Sequence, residues 1–239
     1  MTPVRRSTPA ARGIPARYAP TPAAIFGAAV RERLVDGSAV LDVGSGREPA
    51  LGPGDLAGVS RYVGLDLSAR ELAAAPPGAY TQTVAADLTE RVEELVAGFD
   101  LVVSRQALEH VADTGAALEH VRAYLRPGGR LVAMLSGRYS VQSVLNRLIP
   151  ERLGVRLLGG LLDRDPETVF PAHYDRCHHR GLTGLLAPWA DATVTPLYQG
   201  GAYFNFSPAL RRIYFAYEDW ALGAGRADLA THYLILARR

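Results

Sequence analysis

Two short apolar runs, each containing or ending at an acidic residue, constrain the fold of this 239-residue chain most strongly. Residues 40–43 include Asp42 and lead into Gly44-Ser45-Gly46, and residues 62–66 end at Asp66. Such runs are typical of buried strands in a parallel sheet. Glycines after a strand allow a tight turn and leave room for a ligand against the loop, and an acid at the next strand end suits ribose hydroxyls. The pattern predicts a nucleotide-binding α/β fold.

Strands and helices alternate from residue 21 onward, which predicts a doubly wound, Rossmann-like sheet with right-handed crossovers. Thr21-Pro22 is typical of a helix start, with an N-cap followed by proline. The predicted strands are 39–43, 62–66, 80–85, 99–103 and 130–135, with helices over 89–96 and 114–125. After residue 137 the pattern changes to a helical insertion over 138–170, a helix over 181–189 and strands near 192–199 and 230–237.

The predicted domain organisation is a single domain over residues 21–239, preceded by a flexible arm over residues 1–20. That arm is rich in Pro, Ala and Arg and lacks the apolar core of a signal peptide. The chain contains no apolar run of the roughly 18–20 residues that a membrane span needs. These features predict a soluble, cytoplasmic protein.

Composition excludes several function classes. All 26 basic residues are arginine, so neither a Schiff-base lysine nor a P-loop lysine is available. A net charge of +2 is too small to indicate a nucleic-acid partner. The single cysteine, Cys177, excludes an internal disulfide, and its spacing from His173, His178 and His179 matches no structural zinc signature. No metal is predicted.

Five motifs in order carry a resemblance to a known family. They are VLDVGSG (40–46), YVGLDLS (62–68), AADL (85–88), FDLVVSRQALEHV (99–111) and LRPGGRLV (125–132). The series resembles the class I S-adenosylmethionine-dependent methyltransferases, in particular the small-molecule group called methyltransferase type 11. The resemblance implies a seven-stranded sheet whose final strand, near 231–237, is antiparallel. It also implies S-adenosyl-L-methionine as cofactor and S-adenosyl-L-homocysteine as product.

The resemblance implies a role for each motif. Residues Gly44, Ser45 and Gly46 are expected against the methionine and ribose, with Asp42 either ordering the loop or meeting the amino group. Asp66 is expected to accept the ribose hydroxyls, and the adenine is expected between Leu67, Asp87 and Leu88. The end of strand four is expected beside the methionine and the sulfonium, through Ser104, Arg105 and Gln106.

One stretch departs from the family pattern. Arg47-Glu48-Pro49 and then Gly52-Pro53-Gly54 follow the glycine loop in place of a run of small residues. Proline and glycine are poor residues for a helix interior. The first crossover helix is therefore expected to be short or distorted.

Candidates for catalysis and for the substrate are fewer. His110 stands near the expected methyl site, where an imidazole can accept a proton, although a structural histidine is an equal alternative. His173 and Tyr174 are candidates for the substrate pocket because similar segments border it in related enzymes. Tyr203 is a further candidate, against the alternative that aromatic residues here are core.

The sequence predicts a methyltransferase with a small-molecule acceptor. A non-catalytic binding protein and a nicotinamide-dependent oxidoreductase are the alternatives, although the loop lacks the third glycine of G-x-G-x-x-G. The segment 140–164 combines apolar helix faces with an excess of arginine. It predicts a substrate lid, a peripheral membrane contact or a homodimer surface, against the alternative of helices packed on the sheet.

Overall fold

The computed structural model describes residues 13–148 and 172–239. Seven strands form one sheet in the order β3-β2-β1-β4-β5-β7-β6. The strands are β1 (Ala39–Val43), β2 (Arg61–Asp66), β3 (Gln82–Ala85), β4 (Phe99–Arg105), β5 (Leu125–Ser136), β6 (Ala190–Leu197) and β7 (His232–Arg238). The predicted Rossmann-like α/β fold with a seven-stranded sheet is confirmed.

Strand direction places the ends of six strands at one edge of the sheet. The first five strands pair in parallel, whereas β7 is antiparallel to both β5 and β6. Strand β6 therefore runs in the same direction as β5. The carboxyl ends of all strands except β7 share one edge, which is where open α/β sheets bind their ligands.

Helices cover both faces of the sheet. They are α1 (Pro22–Arg33), α2 (Pro53–Leu56), α3 (Ala69–Ala73), α4 (Thr114–Tyr124), α5 (Val141–Leu148), α6 (His179–Leu185) and α7 (Pro208–Gly223). One apolar cluster joins the sheet to α4 and α6, and a second joins its other face to α1. A parallel sheet needs this double cover because its strands are apolar on both faces.

Polar side chains cap the starts of α1 and α4, and the cap at Thr21 is the one that the sequence predicts. The Thr21 hydroxyl accepts a hydrogen bond from the Ala24 N–H at 3.3 Å, and Pro22 opens α1. Asp113 accepts from Gly115 and Ala116 at the start of α4. Helix α2 has only four residues, so the expected short first crossover is confirmed.

Several predicted boundaries are wrong. The helix predicted over 89–96 is a single 3-10 turn, Glu93–Leu95, because Asp87 accepts hydrogen bonds from both the amide and the hydroxyl of Thr89. Helix α6 ends at Leu185, three residues before Pro188, rather than at 189. Strand β3 begins two residues later than predicted, at Gln82.

The extra length of β5 has a clear cause. The strand begins at Leu125 rather than at 130, and its pairing with β4 shifts between Phe99–Leu125 and Leu101–Arg130. Gly128, with a φ of 80°, lets the chain make this excursion. The predicted helical insertion over 138–170 begins with α5, and its remainder from 149 lies outside the described residues.

The end of the predicted flexible arm is fixed to the domain. Arg17 and Tyr18 both donate hydrogen bonds to Glu218 of α7, and Arg17 also donates to the Tyr198 carbonyl at 3.0 Å. A buried carboxylate therefore holds Arg17 and Tyr18 against α7. Residues 1–12 of the arm lie outside the described residues.

Candidate active site

A cavity of about 820 Å³ opens at the carboxyl edge of the sheet, above β1, β2 and β4. Its wall contains the glycine loop, the ends of β2 and β3 and the turn after β4. The volume falls within the range of small-molecule and cofactor sites. The predicted residues that line it are Gly44, Ser45, Gly46, Asp66, Leu67, Asp87, Leu88, Gln106, His110 and His173.

The backbone of the glycine loop has a shape that disfavours side chains. Gly44 has a φ of 68°, and a Cβ there would lie 2.1 Å from the Cβ of Ala107. Gly46 has a φ of 47°, and a Cβ there would lie 3.4 Å from a carboxylate oxygen of Asp66. The Gly44 N–H donates to the Leu65 carbonyl at 2.7 Å, which ties the loop to β2. Substitution at either glycine would therefore strain the backbone, and at Gly44 it would also clash with Ala107.

Asp42 orders the loop from behind. Its side chain is buried and accepts hydrogen bonds from the Ala50 N–H at 2.7 Å and from the Tyr62 hydroxyl. Burial raises the pKa of the Asp42 carboxyl to about 6. Asp42 lies outside the described cavity lining, so the structure supports the loop-ordering alternative rather than contact with the amino group.

Two tyrosines complete this framework, and the sequence analysis missed both. The Tyr62 hydroxyl also accepts from the Leu51 N–H at 3.1 Å. Tyr80 packs against Tyr62 with ring centroids 5.3 Å apart, and its hydroxyl donates to the Gly46 carbonyl at 3.1 Å. Gly64 in β2 leaves room for the Tyr80 ring, because a Cβ at Gly64 would lie 3.0 Å from that ring. In the sequence, this glycine inside a predicted strand was the one sign of the contact.

Asp66 presents its carboxylate to the cavity from the end of β2. One oxygen accepts from the Ser68 N–H at 2.9 Å, which fixes the side-chain orientation. Burial raises the pKa of the Asp66 carboxyl, while hydrogen bonds from the backbone of Ser68 and Gly46 oppose that shift. A fixed carboxylate with remaining acceptor capacity suits a pair of hydroxyl donors. Leu67, which follows, is 64% exposed.

The matched family model carries the description methyltransferase domain and covers residues 15–168, more than half of the chain. The chain belongs to the methyltransferase domain family. Class I S-adenosylmethionine-dependent methyltransferase membership is confirmed, and S-adenosyl-L-methionine is the cofactor of this class.

Solved structures share the fold. A S-adenosylmethionine-dependent methyltransferase from Mesorhizobium loti is 22% identical over 89% of this chain and 96% of its own, with a TM-score of 0.55. Phosphoethanolamine N-methyltransferase 2 of Haemonchus contortus, in complex with S-adenosyl-L-methionine, is 16% identical over 89% of this chain, also at 0.55. This chain spans about half (52%) of the Haemonchus protein. Uncharacterized protein YafE of Escherichia coli is 53% identical over 36 residues, which are 15% of this chain and 17% of YafE.

At the end of the cavity beside β3, Asp87 and Leu88 follow that strand. The Asp87 carboxylate also holds the turn after the strand, because it accepts from the Thr89 N–H and hydroxyl at 2.8 Å each. Asp87 therefore orders this turn and also stands in the cavity wall. Leu88 is buried, and its carbonyl contacts His120 Nδ1 at 2.9 Å.

Strand β4 ends later than the sequence predicts. It continues to Arg105, two residues beyond the predicted end, so Ser104 and Arg105 are still part of the sheet. Ser104 is buried, and neither residue belongs to the described cavity lining, although Arg105 lies 3.9 Å from Glu48 of that lining. Gln106 lines the cavity because its φ of 58° turns the chain away from the strand.

His110 and His173 lie in the cavity wall at the end away from β3. Tyr174 and Tyr203 do not belong to the described lining. Tyr174 is buried, and its N–H donates to the Glu109 carbonyl at 2.9 Å, so its position is structural. Tyr203 lies in the 3-10 turn Gly201–Phe204 after β6, where its side chain is 41% exposed.

Glu109 is a further residue that the sequence analysis missed as a separate site residue. It is buried, and one carboxylate oxygen accepts from the Ser136 N–H at 3.1 Å. Its other oxygen has no hydrogen-bond partner within the described part of the chain. Burial raises the pKa of the Glu109 carboxyl. Glu109 precedes His110 in the turn after β4, so its hydrogen bond from the Ser136 N–H joins this turn to the end of β5.

The described residues contain no group of three or more His, Cys, Asp or Glu side chains arranged to hold a metal ion. Cys177 is buried, and burial raises the pKa of its thiol to about 12. None of the helices in this described part of the chain is both long and apolar enough to cross a membrane.

Proposed function

We propose that this protein transfers a methyl group from S-adenosyl-L-methionine to a small-molecule acceptor. The observation that carries the proposal is the continuous cavity from the glycine loop through Asp66 and Asp87 to Gln106 and His110. Each part offers the chemistry that the family cofactor needs. When bound, the cofactor supplies a methyl group on a positively charged sulfur, which is already a strong electrophile.

The residues of the chain have distinct tasks in this proposal. Asp66 accepts hydrogen bonds from the ribose, while Leu67 and Leu88 supply apolar contacts to the adenine. Gly44 and Gly46 let the backbone contact the methionine part. Because little activation of the electrophile is needed, positioning the acceptor and excluding water supply much of the rate increase.

His110 is the proposed general base. It lies in the cavity wall beside Gln106, at the end away from the adenine residues Asp87 and Leu88. An imidazole there can take the proton that a hydroxyl or amine acceptor loses as its oxygen or nitrogen forms the bond to carbon. Such a proton acceptor is unnecessary for an acceptor that is already ionised.

A direct test uses S-adenosyl-L-methionine with a labelled methyl group and a small-molecule extract of the source cells. We expect label in an extractable product and S-adenosyl-L-homocysteine as co-product. Calorimetry should detect binding of S-adenosyl-L-homocysteine and none of NAD. Tight binding of the cofactor product without methyl transfer would instead favour a binding protein, and binding of NAD alone would favour an oxidoreductase.

The base role of His110 has its own test. The change His110→Gln should lower turnover by about a hundredfold, with little change in affinity for S-adenosyl-L-homocysteine. His179→Gln, on α6 outside the described lining, is the matched control. Unchanged turnover in the His110 variant would assign that residue a structural role.

A further inference from the structure

Exposed apolar side chains are concentrated at one place, around the last helix. Of the eleven large apolar side chains that are exposed in the described residues, six lie between residues 203 and 222. Phe206 and Ile213 are 69% and 67% exposed, and Trp220 is 55% exposed. Contiguous apolar surface of this kind marks an interaction site more often than scattered single residues do.

The residues form one continuous surface on α7. Leu210, Ile213, Tyr217 and Trp220 follow the spacing i, i+3, i+7, i+10, which places them on one helix face. We call these four residues and Phe206 the α7 surface. The opposite side of α7 is buried through Tyr214, Phe215, Glu218 and Ala221.

Ring contacts join the α7 surface along its length. The rings of Phe206 and Phe204 are 6.3 Å apart, and Phe204 contacts Tyr214 at 4.7 Å. Tyr214 contacts Tyr217 at 5.7 Å, and Tyr217 contacts Trp220 at 6.0 Å. These ring contacts hold the aromatic side chains in place. Binding of a partner to this surface therefore loses little side-chain entropy.

The charges beside this surface are cationic. Arg212 and Arg226 are exposed, and neither has an acidic partner among the residues that the structure describes. The two acids of α7 are engaged, because Glu218 is buried beneath Arg17 and Tyr18 while Asp219 is paired with Arg17. A partner with a negatively charged surface complements this rim.

We propose that the α7 surface binds a bilayer that contains acidic phospholipid, with α7 lying in the plane of the interface. Trp and Tyr side chains favour this depth of a membrane, and arginines beside them attract anionic headgroups. A second copy of the chain fits less well, since it would bring the unpaired arginines of two copies to one contact.

The α7 surface lies near the sheet edge that holds the cavity, and this bears on which class of acceptor can reach the site. Phe206 follows β6 closely, and the carboxyl end of β6 shares the sheet edge that holds the cavity. A chain docked through α7 therefore holds that edge close to the bilayer. Resting on the proposed function, this favours an amphiphilic acceptor that reaches the site from the membrane.

Tryptophan fluorescence of the full chain tests the proposal directly. The chain has two tryptophans, of which Trp189 is 7% exposed and Trp220 is on the surface. Vesicles with equal parts of phosphatidylglycerol and phosphatidylcholine should shift the emission to shorter wavelength, and pure phosphatidylcholine should do so much less. Trp220→Phe should abolish the shift. No shift with either vesicle, or the same shift in the Trp220 variant, would overturn the proposal.

Vesicle sedimentation with a matched pair of variants provides the second measurement. Ile213→Glu places a charge at the centre of the surface and should lower the partition coefficient by about tenfold or more. Val35→Glu is the control, because Val35 is 65% exposed in the loop before β1, at the opposite edge of the sheet. Equal sedimentation of the two variants would contradict the proposal.

Two further measurements identify other occupants. Light scattering that shows a dimer in the wild type and a monomer in the Ile213 variant, without vesicle binding, would assign the surface to a second copy. Failure of iodide to quench Trp220 in the free protein would show that the chain itself covers the surface, and would overturn the proposal. Binding of S-adenosyl-L-homocysteine tests the proposed function separately, and Ile213→Glu should leave it unchanged.

Discussion

The two halves of the ligand-binding edge of the sheet are held together by different kinds of contact. In the cofactor half, Asp42, Tyr62 and Tyr80 fix the glycine loop, all within one stretch of the chain. In the other half, Glu218 accepts from Arg17, which is 201 residues away in sequence, and from the Gly200 N–H at 2.8 Å. Glu109 similarly binds the Ser136 N–H.

This difference separates the two halves of the edge. The cofactor half depends on the contacts that Asp42, Tyr62 and Tyr80 make around the glycine loop. The half near β5, β6 and α7 depends on the buried carboxylates of Glu109 and Glu218. We expect substitutions in one half to leave the other largely intact.

The largest expected effect is at Asp66. Asp66→Ala should weaken binding of S-adenosyl-L-homocysteine by about a thousandfold, since hydrogen bonds to a charged group contribute about 2 kcal/mol each. Asp55→Ala, on α2 outside the described cavity lining, is the control. Calorimetry measures both affinities. Wild-type affinity in the Asp66 variant would remove that residue from the cofactor site.

Gly44→Ala should destabilise the loop by about 3 kcal/mol, because the residue has a positive φ and the new Cβ would overlap Ala107. Gly52→Ala is the matched control, since Gly52 has no neighbouring atom within 4 Å of such a Cβ. Urea unfolding gives the two free energies. Equal free energies of unfolding in the two variants would show that the loop adapts.

The raised pKa of Asp42 predicts that the free energy of unfolding depends on pH. Because its folded pKa, about 6, is above the ordinary value of 3.8, the folded state retains the proton longer than the unfolded state. Its contribution to stability is complete below about pH 4 and is lost as the pH rises through about 6, a total of about 3 kcal/mol. Asp42→Asn should lack this change. Parallel pH profiles of urea unfolding for the two proteins would contradict the prediction.

The smallest effect is expected in the other half. Glu218→Gln should lower the free energy of unfolding by about 2 kcal/mol, because the hydrogen bonds from Arg17, Tyr18 and Thr231 lose a charged acceptor. Affinity for S-adenosyl-L-homocysteine should not change. Asp219→Asn is the control, since Asp219 is a largely exposed partner of the same arginine. A parallel loss of cofactor affinity would show that the halves are coupled.

The cofactor half was largely predictable because its function needs particular residue types at strand ends. The glycines, Asp66 and Asp87 were identified from the sequence and line one cavity. The end of β4 was predicted two residues early, so Ser104 and Arg105 lie within the strand, and each such shift changes which side chains leave the sheet.

The ties between distant segments could not be predicted. Glu109 and Glu218 are charged residues in ordinary helical contexts, and nothing nearby in sequence indicates that both are buried. Glu109 binds Ser136, 27 residues away, and Glu218 binds Arg17, 201 residues away, and only the assembled fold brings these groups together. Tyr62 was expected only as part of a strand, because its hydroxyl bonds are made to the backbone of Leu51 and the side chain of Asp42.

Glu109 also joins the two ends of the segment between β5 and α6. Its carboxylate accepts from the N–H of Ser136, and its carbonyl accepts from the N–H of Tyr174, so the chain leaves and returns at one residue. The ladder between β5 and β7 uses residues 130–136 and 232–238, which lie outside this segment. The turn after β4 is therefore the common anchor from which the chain departs after β5 and to which it returns before α6.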